Sequence, residues 1–169
     1  MNEKKTDWTS FKKRIVINKT VKEVYPCWAT KSRIEKWFLE KADYSDEHGG
    51  KRASDEPVQQ GDSFSWKWNN WDFEEEGKIL NANGADQLSF TFGKGGNVYI
   101  QLNEKNGSTE LILTQDNIPD DEQSKMDLFV GCATGWTFWL ANLKAWLEHG
   151  VTLHATGLAQ SETADLVNS

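Results

Sequence analysis

The feature that most constrains the fold is a wide apolar stripe in the region after Pro119. Apolar residues recur there at steps of three and four, the spacing of one helix face; they are Met126, Phe129, Ala133, Trp136, Leu140, Leu143 and Leu147. A second row, which widens the stripe beyond a coiled-coil seam, comprises Leu128, Cys132, Trp139 and Trp146. The pattern predicts a long helix that ends at Gly150 and needs a broad apolar surface as its partner.

The segment before that helix alternates between apolar and polar residues, as half-buried strands do. The alternating apolar positions include Phe64, Trp66, Trp68, Leu88, Phe90, Phe92, Val98, Ile100 and Leu102. Turn signals separate these runs, and Asn106-Gly107 is a strong hairpin signal. The pattern predicts a meander of about five strands whose one covered face packs on the terminal helix.

A further strand and two short helices are predicted before the meander. Residues 11–18 alternate like a strand, and Thr20 with Glu23 forms the capping-box pattern of a first helix. A second short helix is predicted from about Ser32. Residues 45–61 are polar and rich in glycine, without a periodic apolar set, which predicts a mobile loop.

Composition adds two constraints. Nine Trp and eight Phe among 169 residues supply large rigid apolar area, suited to an aromatic core or to a ring-lined cavity. A net charge of −7 opposes binding to the phosphate backbone of nucleic acids. The two cysteines, Cys27 and Cys132, lie in segments predicted to be helical and are expected to be buried structural residues without a metal.

No apolar run approaches the roughly 18 residues of a membrane-spanning helix. Residues 1–10 are polar and lack the apolar core of a secretory leader. We therefore expect a cytoplasmic protein without a membrane span.

Four sequence motifs resemble one family in their order along the chain. They are TVKEVYPCW followed by SRIEKWF, then EGKIL, STELILTQ and GWTFWLANLKAWLEHG. The chain resembles the family named after the activator of the heat-shock-protein-90 ATPase, in the START and Bet v 1 (SRPBCC) superfamily. The resemblance implies an α+β helix-grip fold: a curved antiparallel sheet of about six strands wrapped on a long C-terminal helix, with two short helices after strand 1. It covers residues 11–150 as a single domain and leaves 1–10 and 151–169 as loosely held termini.

Aromatic residues on the predicted inner faces are the candidate ligand-binding set. They are Trp66, Trp68, Phe90 and Phe92 on the sheet and Trp136, Trp139 and Leu140 on the helix. Ligand sites are concave and mostly apolar, which suits this set. The alternative is that the same side chains simply fill the core, since apolar residues at strand and helix spacing usually do so.

Glu75 is the one candidate polar anchor. If Phe73 and Ile79 face inward, Glu75 shares their side of the strand, and an inward carboxylate would have a raised pKa. The alternative is a solvated acidic edge, because Asp72, Glu74 and Glu76 lie beside it.

No other chemistry is indicated. The three histidines are dispersed, without the spacing of a zinc site or a catalytic triad, so no metal, cofactor or catalytic residue is assigned. The leading hypothesis is a module that binds a small apolar or amphipathic molecule. The alternatives are an interaction protein that acts on a chaperone ATPase, implied by the resemblance, and an enzyme that uses Glu75.

Overall fold

The computed structural model describes residues 6–169. Within them the strands are β1 (Phe11–Ile17), β2 (Lys41–Ser45), β3 (Ser63–Lys67), β4 (Glu74–Ala82), β5 (Gln87–Thr91), β6 (Asn97–Lys105) and β7 (Ser108–Asp116). The helices are α1 (Val21–Ala29), α2 (Lys31–Trp37), the single turn α3 (Glu122–Ser124) and α4 (Gly131–His149). A π-helical segment, Lys125–Val130, joins α3 to α4.

The strands form one antiparallel sheet in the order β1-β7-β6-β5-β4-β3-β2. Consecutive strands from β2 to β7 are neighbours, while α1 and α2 carry the chain from the β1 edge to the β2 edge. The helix-grip prediction is confirmed, with a seventh strand beyond the expected set. That strand is β2, whose five residues include only two inward apolar side chains, Ala42 and Tyr44, too few to stand out from a loop.

Local signals correctly predicted several boundaries. The backbone N–H of Thr20 donates to Glu23 Oε2 (2.8 Å) and closes the start of α1. Asn106 and Gly107 both have positive φ between paired Lys105 and Ser108, as a two-residue hairpin turn requires. Gly150 ends α4 in the left-handed conformation.

Helix α4 lies across the inner face of the sheet and buries the middle of the predicted stripe, whereas Met126, at the start of the stripe, lies before α4 and is 64% exposed. Trp136, Leu140 and Leu143 are buried in one continuous apolar core that also contains side chains of α1, α2 and every strand from β1 to β7. The predicted broad partner of the helix is therefore the sheet together with α2. No helix within residues 6–169 combines the length and the apolar character that crossing a bilayer demands.

Gly77 is the glycine of the EGKIL motif, and close packing between β3 and β4 requires it. It lies on β4 opposite Phe64 of β3, and a Cβ at this position would overlap the Phe64 ring and stand 2.6 Å from Thr91 Oγ1. The glycine thus allows the ring to pack flat against β4. A larger residue here would push the inner-face rings away from the sheet.

The segment between β2 and β3, predicted as a mobile loop, is anchored by a buried ion pair. The guanidinium of Arg52 donates to both carboxylate oxygens of Asp62 (2.9 Å each), and Asp62 is only 1% exposed. Val58 is buried against the core, and its backbone N–H donates to the Ala29 carbonyl (2.8 Å). The Val58 hydrogen bond ties the segment to α1, and the ion pair joins two parts of the segment to each other.

Residues 151–169 fold back along α4. The buried side chain of Asn142 accepts from Leu153 N (2.6 Å) and contacts His154 Nδ1 (3.2 Å), while its amide also donates to the Trp37 carbonyl. Further along, Asn70 binds the backbone at Ala155. The looseness expected for this tail stays a prediction about its motion. Of the other expected loose terminus, 1–5 lie outside the described residues.

Candidate functional site

The aromatic core is not filled at one end of the sheet. A cavity of about 310 Å³ opens there between the β3–β4 connection, the turn at Gly93–Gly95 and the start of the C-terminal helix. Its side-chain walls are Trp68, Trp71, Phe73, Glu75, Phe92, Lys94, Leu128, Cys132 and Trp139, with Ser169 at its edge. A second cavity of about 210 Å³ shares Trp68, Phe92, Cys132 and Trp139 with it and reaches Phe38 and Trp136. Together they form one recess, called the aromatic recess below.

The candidate rings divide into two groups. Trp68, Phe92, Trp136 and Trp139 line the aromatic recess, together with Glu75. Trp66, Phe90 and Leu140 do not line it; they lie in the packed core, at 1%, 0% and 3% exposure. Trp66 stacks on Phe64 with ring centroids 4.0 Å apart and contacts Phe90 at 4.9 Å. The cavity hypothesis thus describes the first group of rings, and the core-filling alternative describes the second group.

Some lining residues were missed by sequence reasoning. Trp71 and Phe73 lie on the connection after β3, where alternation no longer applies, and Phe73 is 48% exposed rather than facing the core. Leu128 and Cys132 belong to the second apolar row of the helix, with Trp139. The second row could have predicted these two lining residues, because an apolar stripe wider than the surface that covers it leaves its outer residues beside unfilled space.

Glu75 lies on the inner side of β4, in register with Trp66 of β3. It alternates with Gly77 and buried Ile79, is itself half-buried, and faces the recess rather than the acidic outer edge. Burial raises the pKa of its carboxyl above the ordinary value of a glutamate. Gly93 approaches it closely: a Cβ there would stand 2.5 Å from Glu75 Oε1.

The back of the recess is held by Gln115 at the end of β7. Trp136 Nε1 donates to Gln115 Oε1 (2.8 Å), and Gln115 Nε2 donates to the Gly95 carbonyl (2.8 Å). Gln115 is fully buried, so both bonds are shielded from water. One side chain therefore positions a ring of α4 relative to the turn at Gly93–Gly95.

The π-helical segment forms the other wall. Leu128 lies on this segment and lines the recess. Phe129, on the same segment, packs its ring edge-on against Trp8 and Phe11 at centroid distances of 5.0 and 5.4 Å. Such segments widen a helix locally and recur at binding sites. Here the widened turn lies beside the recess.

Both cysteines remain thiols in this setting. Burial raises the pKa of Cys27 to about 12 and also raises the pKa of Cys132, which lies in the wall of the recess. Neither is activated as a nucleophile. Within residues 6–169, no three His, Cys, Asp or Glu side chains converge as a metal site would need.

A larger groove, of about 830 Å³, runs between α1 and the β4–β5 turn. Among the described residues it carries one aromatic side chain, Tyr25, whose hydroxyl accepts from the backbone N–H of Gly84 (2.9 Å). The aromatic recess is the better site for an apolar molecule, because it lies between the sheet and α4 and is walled by rings.

A sheet that grips a C-terminal helix over an interior recess defines a helix-grip domain of the START and Bet v 1 type. The chain belongs to the family of Activator of Hsp90 ATPase homolog 1-like proteins, whose model matches residues 18–148. Membership supports a ligand-binding or co-chaperone-like role and specifies no ligand. No curated protein matches the sequence significantly.

Solved structures share the fold at low sequence identity. The protein SSP2350 from Staphylococcus saprophyticus is 22% identical over 87% of this chain and 97% of its own, with a TM-score of 0.69. The Aha1 dimer from Colwellia psychrerythraea is 17% identical over 83% and 97%, with a TM-score of 0.66. CalU16 from Micromonospora echinospora is 21% identical over 85% and 76%, with a TM-score of 0.63. These similarities establish the fold alone.

Proposed function

We propose that the protein binds a small apolar or amphipathic molecule in the aromatic recess. The observation that carries the proposal is the concentration of rings around one unfilled recess: Trp68, Trp71, Phe73, Phe92 and Trp139 line the cavity of about 310 Å³. A concave space walled by large apolar side chains is the usual form of a small-molecule site, so it favours an apolar occupant.

The size of the recess limits both the ligand and its affinity. A ligand that buries about 200 Å² of apolar surface gains about 5 kcal/mol at roughly 25 cal/mol per Å². Association entropy offsets part of this gain, so apolar contact alone supports only weak binding, with dissociation constants of about a millimolar or higher. Polar anchoring is needed for tighter and more selective binding.

Native mass spectrometry of the protein purified from its own host tests the proposal directly. We expect an additional mass of a small molecule that is lost under collisional activation. A matched variant, Trp68→Ala, removes a wall of the recess and should purify without this mass. An apolar library that leaves the indole N–H resonances of Trp68, Trp71 and Trp139 unmoved would argue against a binding function.

A co-chaperone-like action on a chaperone ATPase is the second candidate. The family match over residues 18–148 is the observation that favours it. Capture of the host's Hsp90-type chaperone by the tagged protein, together with faster ATP hydrolysis by that chaperone, would support this function. The Trp68→Ala variant separates the two candidates, because it should impair ligand binding and leave an ATPase effect exerted through the outer surface intact.

A further inference from the structure

The aromatic recess contains one inward carboxylate without a cation. Within residues 6–169, Glu75 forms no ion pair and accepts no hydrogen bond, and burial is the only influence that shifts its pKa. A carboxylate that loses water without gaining a partner is costly. Its charge is therefore available to a bound molecule.

The rings around Glu75 also favour a positively charged ligand. The faces of Trp and Phe carry partial negative charge and attract organic cations, most strongly where water is excluded. Trp68 contacts Phe73 and Phe92 at centroid distances of 6.3 and 6.1 Å, and Trp71 contacts Phe73 at 5.8 Å. These four rings and Glu75 belong to the wall of a single cavity.

Acidic residues outnumber basic ones near Glu75 in the chain. Asp72, Glu74 and Glu76 flank Glu75 in sequence and are exposed, and Glu76 faces the outer side of the sheet. Within residues 6–169, Lys94 is the one basic residue that lines the cavity; it is exposed and forms no ion pair with Glu75. The charges around the recess therefore favour a cation over an anion.

We propose that the aromatic recess takes an organic ammonium ion, with its positive nitrogen between Glu75 and the rings and its apolar body against Trp139 and Leu128. This assignment rests on the proposed binding function and names the chemical class of the ligand. A primary amine donates hydrogen bonds to Glu75, whereas a quaternary ammonium interacts through the ring faces and the charge alone.

A series of four matched probes tests the assignment: phenylpropylamine, trimethyl(phenylpropyl)ammonium, phenylpropanol and phenylpropionate. All four carry a phenyl ring on a short alkyl chain, which is one methylene shorter in phenylpropionate, and their head groups comprise two cations, one neutral group and one anion. Titration calorimetry gives the affinities, and the indole N–H resonances show whether binding occurs at the recess. We expect at least one ammonium probe to bind about 10-fold to 100-fold more tightly than phenylpropanol, and phenylpropionate to bind most weakly.

Glu75→Gln is the decisive variant, because it keeps the size of the side chain and removes the charge. Ammonium affinity should fall about 10-fold or more, whereas phenylpropanol affinity should change by less than about twofold. Glu76→Gln is the matched control: it removes the same charge from the next residue, which is exposed and faces the outer side of the sheet. Its ammonium affinity should stay within about twofold of the parent protein.

The binding results distinguish the ammonium assignment from the proposed binding function. Equal or tighter binding of phenylpropanol in the recess would overturn the ammonium assignment and leave the proposed binding function standing. Failure of all four probes to move the indole resonances would overturn both. An equal loss in the Glu75→Gln and Glu76→Gln variants would reduce the effect to general surface charge and also overturn the assignment.

Discussion

Trp66 and Trp68 are two residues apart and both contact Phe38, yet they lie in different surroundings. Their ring centroids are 5.9 and 5.5 Å from that of Phe38. Trp66 is sealed between Phe64, Phe90 and Phe38, and its indole N–H donates to Tyr44 Oη (3.1 Å). Trp68 lies one residue past β3, half-buried in the wall of the aromatic recess.

The difference follows from where strand pairing ends. β3 pairs with β4 only as far as Lys67 opposite Glu74, so the chain leaves the sheet at the next residue. Up to that pair, two neighbouring strands supply aromatic side chains that pack against the helices. Beyond the pair, the sheet no longer covers the rings completely. The packed end therefore supplies stability, and we assign the open end to binding. Substitutions at the two ends should therefore differ in their effects on stability and on binding.

Replacing Trp66 by Ala should remove about 3–5 kcal/mol from the free energy of unfolding, because the ring is fully buried and its cavity cannot collapse among other rings. Trp68→Ala should remove only about 1–2 kcal/mol, since its ring is partly hydrated in the folded state. Urea denaturation followed by circular dichroism measures both. Equal losses would show that the two ends of the interior contribute alike.

Gln115→Leu should lower the free energy of unfolding by about 2–3 kcal/mol, since it leaves Trp136 Nε1 and the Gly95 carbonyl buried without partners. It should also loosen the back of the recess and weaken ligand binding. Gln101→Leu, at a half-buried position on the neighbouring β6, is the control and should change stability by under about 0.5 kcal/mol. A Gln115 variant as stable as the parent would contradict its positioning role.

Asn142→Ala should destabilise the protein by about 1–2 kcal/mol and release residues 151–169 from α4, because the Leu153 N–H and His154 lose their partner. Amide hydrogen exchange should accelerate at Leu153 while the amides of β6 and β7 remain protected. Ser161→Ala, at an exposed tail position, serves as the control. Unchanged exchange at Leu153 would show that the tail is held by other contacts.

Glu75→Gln should slightly stabilise the protein near neutral pH, by less than about 1 kcal/mol because the carboxylate keeps part of its hydration. Burial raises the pKa of Glu75 in the folded state, so its ionised form weakens the fold at pH above that pKa. The gain should fade toward about pH 4, where the carboxyl is increasingly protonated in both states. Denaturation at both pH values measures it. A loss of stability near neutral pH would show that Glu75 has a structural partner.

Periodicity was sufficient to predict most of the fold. The row from Met126 to Leu147 predicted one long helix, and Asn106-Gly107 predicted the hairpin between β6 and β7. β2 was missed because its inward residues, Ala42 and Tyr44, are flanked by charged residues that resemble a surface loop. The π-helical turn was not predicted either, since one extra residue in a turn barely disturbs a pattern of threes and fours.

The site was only partly predictable. Trp68, Phe92, Trp136, Trp139 and Glu75 were predicted and line the recess, and Trp66, Phe90 and Leu140 were predicted and lie in the core. Alternation identifies the face of a strand that is covered, and both groups share that face. It carries no information about how completely the face is filled.

The sequence by itself determined the elements, their order and the apolar faces that pack together, because helix and strand periods are local properties of the backbone. Tertiary structure alone decided where the interior stays open. That depends on the end of β3–β4 pairing at Lys67, the turn at Gly93–Gly95 and the bonds of Gln115. Filling is a matter of distances between elements that are remote in the chain, and no local period encodes such distances.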